Sequence, residues 1–288
     1  MGGGVWRSSD WDSYKSARKI TSTSTVRDIY TSTRMKDTFN PSKIKVRESC
    51  DSLEHPNSTP IILGLDVTGS MGYLAEEIAK TALNEIILTT YKDKPVEDPQ
   101  IMIMAIGDMF SDCAPLQVTQ FESDIRIAEQ LSELYFEGRG GGNGGESYLA
   151  AWYFAARHTA IDSHSKLGKK GYLFTIGDEP NHKWLTRDQI KRFFNDDVSE
   201  DITSEQLLKE VSKKYHVYHI CVGRYKYYNS DEKWRKLLDE RVYTLDDHTQ
   251  LPKLITQVLK LTAENEEKTK QYKESNLPKN KDSMHISF

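Results

Sequence analysis

The run Asp66-Val67-Thr68-Gly69-Ser70-Met71-Gly72 places one carboxylate and two hydroxyls at alternate positions. It sits where an apolar run ends and a helical pattern begins. Turned around a loop, these side chains bring three hard oxygens toward one point, the donor set that Mg²⁺ takes alongside retained waters. The same residues also serve in ordinary roles, Asp66 as a strand-end turn former and Ser70 as a helix N-cap. Two further stretches bear on the choice. Gly138-Arg139-Gly140-Gly141-Gly142-Asn143-Gly144-Gly145-Glu146-Ser147 is a glycine-dense loop leading into a helical pattern, and Phe174-Thr175-Ile176-Gly177-Asp178-Glu179 ends a second apolar run in carboxylates. The glycines permit φ > 0 and close backbone approach; a phosphate cradle would carry a Gly-Lys-Ser/Thr ending, which this loop lacks. Asp108, in Ile106-Gly107-Asp108-Met109, ends a third run. There it would either orient a metal-bound water or stand as a solvated turn residue.

These residues need a frame that brings distant loops to one place. Four runs, at 61–65, 101–106, 172–176 and 217–222, are nearly continuous in apolar residues, as strands covered on both faces are. Helical patterns occupy 72–91, 123–135, 147–159 and 204–215, with a last helix expected over 251–261. Residues 116–121 alternate apolar and polar after a proline turn, which predicts a short edge strand, and 242–245 predicts a final strand. The pattern is that of a doubly wound α/β fold: a mostly parallel central sheet with one short antiparallel edge strand and helices on both faces. Ligands of such sheets bind outside the carboxyl ends of the strands, where Asp66, Asp108 and Asp178 fall.

With these three loops in this order, the sequence resembles the von Willebrand factor A domain over about residues 60–261. The metal-ion-dependent adhesion site of that family is built from an Asp-x-Ser/Thr-x-Ser strand end, a Gly-Gly loop carrying a Thr or an acid, and a later strand-end Asp. The resemblance implies hydroxyl ligands from Thr68 and Ser70, with Asp66 and Asp178 contacting the ion directly or through water. In the middle loop the family's usual Thr has no clear match. Glu146 stands nearest to the Gly-Gly-x-x-x-Glu form of bacterial and phage members, with Asn143 and Ser147 as alternatives. Glu179 and His182 follow Asp178 closely enough to face an incoming ligand, or else lie on the surface. The resemblance further implies Mg²⁺, with Mn²⁺ or Ca²⁺ as alternatives, and a protein partner supplying a carboxylate to the ion. Among bacterial and phage relatives that partner class includes AAA+ ATPases; a structural role in a phage or cellular assembly fits the same residues.

A hydrolase is the competing chemistry. Thr68-Gly69-Ser70-Met71-Gly72 lies on a strand-turn-helix, and Ser70, Asp178 and His248 follow the chain order of α/β-hydrolase triads. Against it, Thr68 stands where the nucleophile elbow carries Gly, the strand is the first of the sheet, and the glycine loop is left without a role. His216 and His219, three apart on a strand, point to opposite faces and form no joint ligand pair.

Residues 1–59 are rich in Ser, Thr and charge and carry scattered Trp6, Trp11, Tyr14, Ile29, Tyr30 and Phe39. Such an arm builds no core of its own; it either docks through those anchors or stays disordered. The domain is expected over 60–263, with a charged tail over 264–288. Of 288 residues, 39 are Lys or Arg and 43 Asp or Glu, a net charge of -4, so no overall basic field favours general nucleic-acid binding. No window reaches the roughly 20 apolar residues of a membrane span, and the opening Met1-Gly2-Gly3-Gly4-Val5-Trp6 has neither an apolar signal core nor the Ser/Thr of a myristoylation signal. Cys50, Cys113 and Cys221 are too scattered for a disulfide framework or a zinc ribbon and are read as reduced thiols of a cytoplasmic protein.

Overall fold

The computed structural model describes residues 4–138 and 145–275. Six strands form the central sheet: β1 (Thr59–Asp66), β2 (Pro99–Ile106), β3 (Leu116–Val118), β4 (Gly171–Gly177), β5 (Tyr215–Cys221) and β6 (Val242–Thr244), in the order β6-β5-β4-β1-β2-β3. Every neighbouring pair is parallel except β2 with β3. The fold is therefore the doubly wound α/β arrangement, with a single antiparallel edge strand. The chain moves outward from β1 through β2 to β3, then returns to the other side of β1 with β4. That reversal opens a crevice at the carboxyl ends of β1 and β4.

Register explains why the acidic residues share this rim. Asp66 is level with Ile106 on β2, and Leu65 is level with Ile176 on β4. The residues just past these ends, Asp108 and Asp178, therefore emerge beside Asp66. β1 is buried at all but its first position, with Ile61, Leu63 and Leu65 facing one core and Ile62 the other, the period-2 alternation of a strand covered on both sides.

On the first face lie α1 (Ser8–Arg18), a long helical run α2 over 72–93 and α3 (Arg126–Ser132), together with the C-terminal helix α8 (Leu251–Ser275). α2 contains a π-helical turn at Ile78–Ala82. On the second face lie α4 (Tyr148–Arg157), α5 (Arg187–Phe194), α6 (Ser204–Val211) and α7 (Ser230–Leu238). α4 is buried at every position but Arg157, since it runs directly behind the sheet and is itself covered by α6.

Several elements differ from expectation. The 123–135 helix is shorter, because Asp124 folds its carboxylate back onto the Arg126 amide (3.0 Å) and helical geometry begins only at Arg126. The edge strand is regular only over Leu116–Val118, and the antiparallel pairing resumes at a bridge between Glu122 and Ile101. α5 and α7 fall outside the expected elements, although Thr186 and Gln189 form a reciprocal capping box at the start of α5. α8 continues to Ser275, well beyond 261, because a mixed run of Glu, Lys, Gln and Thr keeps good helix propensity.

The N-terminal arm is docked. Trp6, Trp11, Ile29, Tyr30 and Phe39 are buried in the first core. Trp6 Nε1 donates to Asn84 Oδ1 (2.9 Å), and Tyr30 and Tyr14 donate to the carbonyls of Ala75 (3.0 Å) and Ala128 (2.9 Å). A short strand, Arg47–Ser49, pairs in parallel with Thr159–Ile161. All three cysteines are free, and no described helix is long and apolar enough to cross a membrane.

Candidate metal centre

Asp66 ends β1 fully buried. Its Oδ1 accepts from the Thr68 amide (2.9 Å) and the Thr68 hydroxyl (2.6 Å), and its Oδ2 accepts from the Tyr148 hydroxyl (2.9 Å). Burial, then the Asp178 carboxylate, pushes the Asp66 carboxyl up to about 7 against the pull of these donors. Because the Thr68 proton points at Asp66, the lone pairs of Thr68 Oγ1 are left for another partner. The chain then enters a 3-10 turn, Gly69–Met71, before α2.

Glu146 approaches from the glycine loop. Its amide donates to the Pro180 carbonyl (3.0 Å), and it bridges Asn181 in parallel register. This locks the segment before α4 against the segment after β4. A Cβ on Gly145 would lie 2.9 Å from the Pro180 carbonyl oxygen, so the approach requires glycine. The Glu146 side chain is fully buried, and neither carboxylate oxygen has a hydrogen-bond partner among the described residues. Burial, reinforced by the carboxylates of Asp66, Glu179, Asp108 and Asp112, pushes its carboxyl up to about 10.

Asp178 and Glu179 follow β4 and are buried. Their backbone is held from α7: Ser230 Oγ donates to the Asp178 carbonyl (2.6 Å) and Trp234 Nε1 to the Glu179 carbonyl (3.1 Å). Burial and the Asp178 charge raise the Glu179 carboxyl. On the other side, Asp108 Oδ1 accepts from Ser147 Oγ (3.3 Å) and the Phe110 amide (3.2 Å), with His182 Nε2 also 3.3 Å away. Burial works to raise the Asp108 carboxyl, but the bonds from His182, Phe110 and Ser111 outweigh it and hold it low. Ser147 Oγ also accepts from the Met109 amide (2.9 Å).

The structure thus gathers Asp66, Thr68, Glu146 and Asp178, with Asp108, Ser147, Glu179 and His182 around them. The Ser70 side chain and Asn143 lie outside what is described. Among the described residues no three His, Cys, Asp or Glu side chains converge closely enough to hold a metal by themselves. The donor set still fits a hard divalent ion. Such ions take oxygen from hydroxyls and water as readily as from carboxylates, and a buried carboxylate with both oxygens unbonded is costly without a cation.

Sequence patterns missed Tyr148, which reads as one more core aromatic of α4, and Gly177. A Cβ on Gly177 would lie 1.9 Å from the Tyr148 hydroxyl and 2.8 Å from Asp66 Oδ2. Ser230 and Trp234, four apart on α7, were equally silent, because a side chain that holds a loop carbonyl leaves no local motif.

No family profile matches the sequence, and no curated protein sequence matches it. Similar solved structures include the pilus adhesin SpaC from Lactobacillus rhamnosus GG in its open conformation, 8% identical, covering 73% of this chain and 30% of that chain at a TM-score of 0.48. A von Willebrand factor type A protein from Catenulispora acidiphila is 13% identical, covering 71% of this chain and 42% of that one at 0.42. Proximal thread matrix protein 1 from the mussel byssus, with a zinc-occupied MIDAS motif, is 13% identical, covering 72% and 46% at 0.41. This chain spans less than half the length of each of these proteins. At these TM-scores the likeness carries no argument, and the strand order above alone carries the fold assignment.

Proposed function

We propose that this protein is a metal-dependent protein-interaction module. A divalent cation, Mg²⁺ first and Mn²⁺ or Ca²⁺ as alternatives, would be held by Thr68, Ser70, Glu146, Asp66 and Asp178, leaving a position for a carboxylate from a partner protein. The observation that supports this most is Glu146, fully buried with both oxygens unbonded among the described residues and ringed by the acids that raise its carboxyl. A bound ion would supply the positive charge that pairs with these acids and with the partner's carboxylate. The protein's own residues do the positioning. Asp66 turns the Thr68 hydroxyl, the Pro180 carbonyl fixes Glu146, and α7 holds the Asp178–Glu179 backbone. Asp108, holding Ser147 and facing His182, steadies the neighbouring rim. A partner of the AAA+ ATPase class in the cytoplasm, or a subunit of a larger assembly, fits the module.

A hydrolase fits the site less well. Ser70 sits within a 3-10 turn in place of a strained nucleophile elbow, and the His248 ring lies edge-on to Tyr73 with centroids 4.9 Å apart. The test pairs calorimetry with affinity capture. Wild type should bind Mg²⁺ and retain a host protein that EDTA releases and that Asp66→Ala does not capture. Equal capture in all three conditions would overturn the proposal.

A further inference from the structure

The docked arm meets the two loops that carry Thr68 and Glu146 in one place. Asp28 accepts from the Thr25 amide (2.7 Å) and hydroxyl (2.8 Å) and so shapes the short helical turn Val26–Ile29. From that turn the Val26 amide donates to Glu76 Oε1 (2.9 Å), and just past it the buried Tyr30 hydroxyl donates to the Ala75 carbonyl (3.0 Å). Both bonds grip the start of α2, which begins at Gly72 directly after the Gly69–Met71 turn. A Cβ on Gly72 would lie 3.5 Å from Val26 Cγ2 and 3.8 Å from Phe136 Cζ, so the three residues are neighbours. Phe136 leads into the glycine loop, and its ring packs on Tyr30 with centroids 5.9 Å apart. Ser32 Oγ donates to the Glu133 carbonyl (2.7 Å), and Lys36 pairs with the Glu133 carboxylate (3.0 Å). The two loops also meet each other, since a Cβ on Gly69 would lie 3.2 Å from the Gly138 carbonyl oxygen. Immediately beyond the gripped residues α2 widens into its π-helical turn, where the Leu83 amide donates to the Ile78 carbonyl; such turns are rare and recur at functional sites.

We propose that Tyr30 and Val26 are positioning residues for the metal site: they fix the start of α2 against the entry to the glycine loop, so that the ligand loops hold the spacing a cation needs only while the arm is docked. The inference rests on the interaction reading above. Neither arm residue is a ligand in that reading, so the effect passes through the backbone of Gly72–Glu76 and of 133–136. Small displacements of the ligand oxygens matter because Mg²⁺ demands near-ideal octahedral geometry. Coupling of this kind runs both ways: a bound ion tightens the docking of the arm by the same factor as the docked arm tightens the ion. A partner that captures the arm would loosen the metal site.

The test compares two variants of the full chain, each of which removes one phenol oxygen and leaves the ring in place. Tyr30→Phe loses the bond to α2, whereas Tyr14→Phe loses the same kind of bond to the Ala128 carbonyl of α3 (2.9 Å). In calorimetry Tyr30→Phe should bind Mg²⁺ about five-fold more weakly, the worth of one hydrogen bond, and Tyr14→Phe should bind it as wild type does, while urea melts in EDTA show similar stability losses for both. Equal affinity in all three proteins, or an equal loss in both variants, would overturn the inference and leave the interaction reading standing. Native-state hydrogen exchange of the wild type decides independently should Tyr30→Phe fold poorly: saturating Mg²⁺ should slow exchange across residues 25–36 more than across α1. No slowing there, or an equal slowing over α1, would overturn the inference. A wild type that binds no Mg²⁺ takes both proposals down together.

Discussion

Replacing Glu146 by Gln separates the two states in which that side chain exists. Without a cation, a carboxyl pushed up to about 10 carries its proton at neutral pH, and Gln is close to it in shape and charge. To ligate an ion, the same group must lose that proton. The three units between pH 7 and about 10 correspond to roughly 4 kcal/mol withheld from binding at pH 7, and each further pH unit returns a factor of about ten. From pH 7.0 to 8.5 the Mg²⁺ affinity of the wild type should therefore rise about 30-fold. Asp66, pushed up to about 7, adds a second released proton only near and below pH 7. Titration calorimetry in buffers of different ionisation enthalpy counts those protons directly. Glu146→Gln should bind Mg²⁺ more weakly and show an affinity that is flat above pH 8. A wild-type affinity independent of pH over this range, or a Gln variant that keeps the full slope, would refute the assignment of Glu146 as a ligand.

The same shift has a consequence for stability without metal. The folded value lies above the ordinary 4.5, so the folded chain keeps a proton that the unfolded chain loses. Stability is therefore full below about pH 4.5 and falls as pH climbs toward 10, by on the order of 3 kcal/mol between 4.5 and 7. Denaturant melts in EDTA should show this fall, and saturating Mg²⁺ should remove much of it. Gly177→Ala drives a methyl into the Tyr148 hydroxyl and Asp66; it should cost about 1–3 kcal/mol in thermal melts and abolish Mg²⁺ binding. Trp11→Ala, which empties a fully packed position of the docked arm, should cost about 3–5 kcal/mol by urea unfolding. Trp234→Phe removes the donor to the Glu179 carbonyl and should cost about 1 kcal/mol while lowering Mg²⁺ affinity.

The frame was legible because its strands are apolar on both faces. Ile61–Leu65 and Ile101–Ile106 cannot be solvent-facing, and their spacing by helical patterns fixes a parallel sheet with crossovers. The rim followed, since residues just past such strands must emerge together, and Asp66, Asp108 and Asp178 do. Glu146 was legible only by likeness to a family loop, and its burial came from contacts with Pro180 and Asn181 that no local pattern announces. Tyr148 and Trp234 were hidden for a related reason. Aromatics on buried helices read as filling, and only three-dimensional proximity shows which hydroxyl or indole meets a polar atom. The arm's anchors were visible as isolated aromatics, but the choice between docking and disorder depended on grooves beside α2 and α3 that the arm's own residues do not encode.

A crystal grown with Mn²⁺ and measured for anomalous scattering would locate the ion directly. One strong anomalous peak is expected at the carboxyl ends of β1 and β4, ligated by Thr68 Oγ1 and Glu146, with Asp178 directly or through water in contact. A well-ordered crystal at saturating Mn²⁺ with no peak there, and with Glu146 still without an ion, would contradict it.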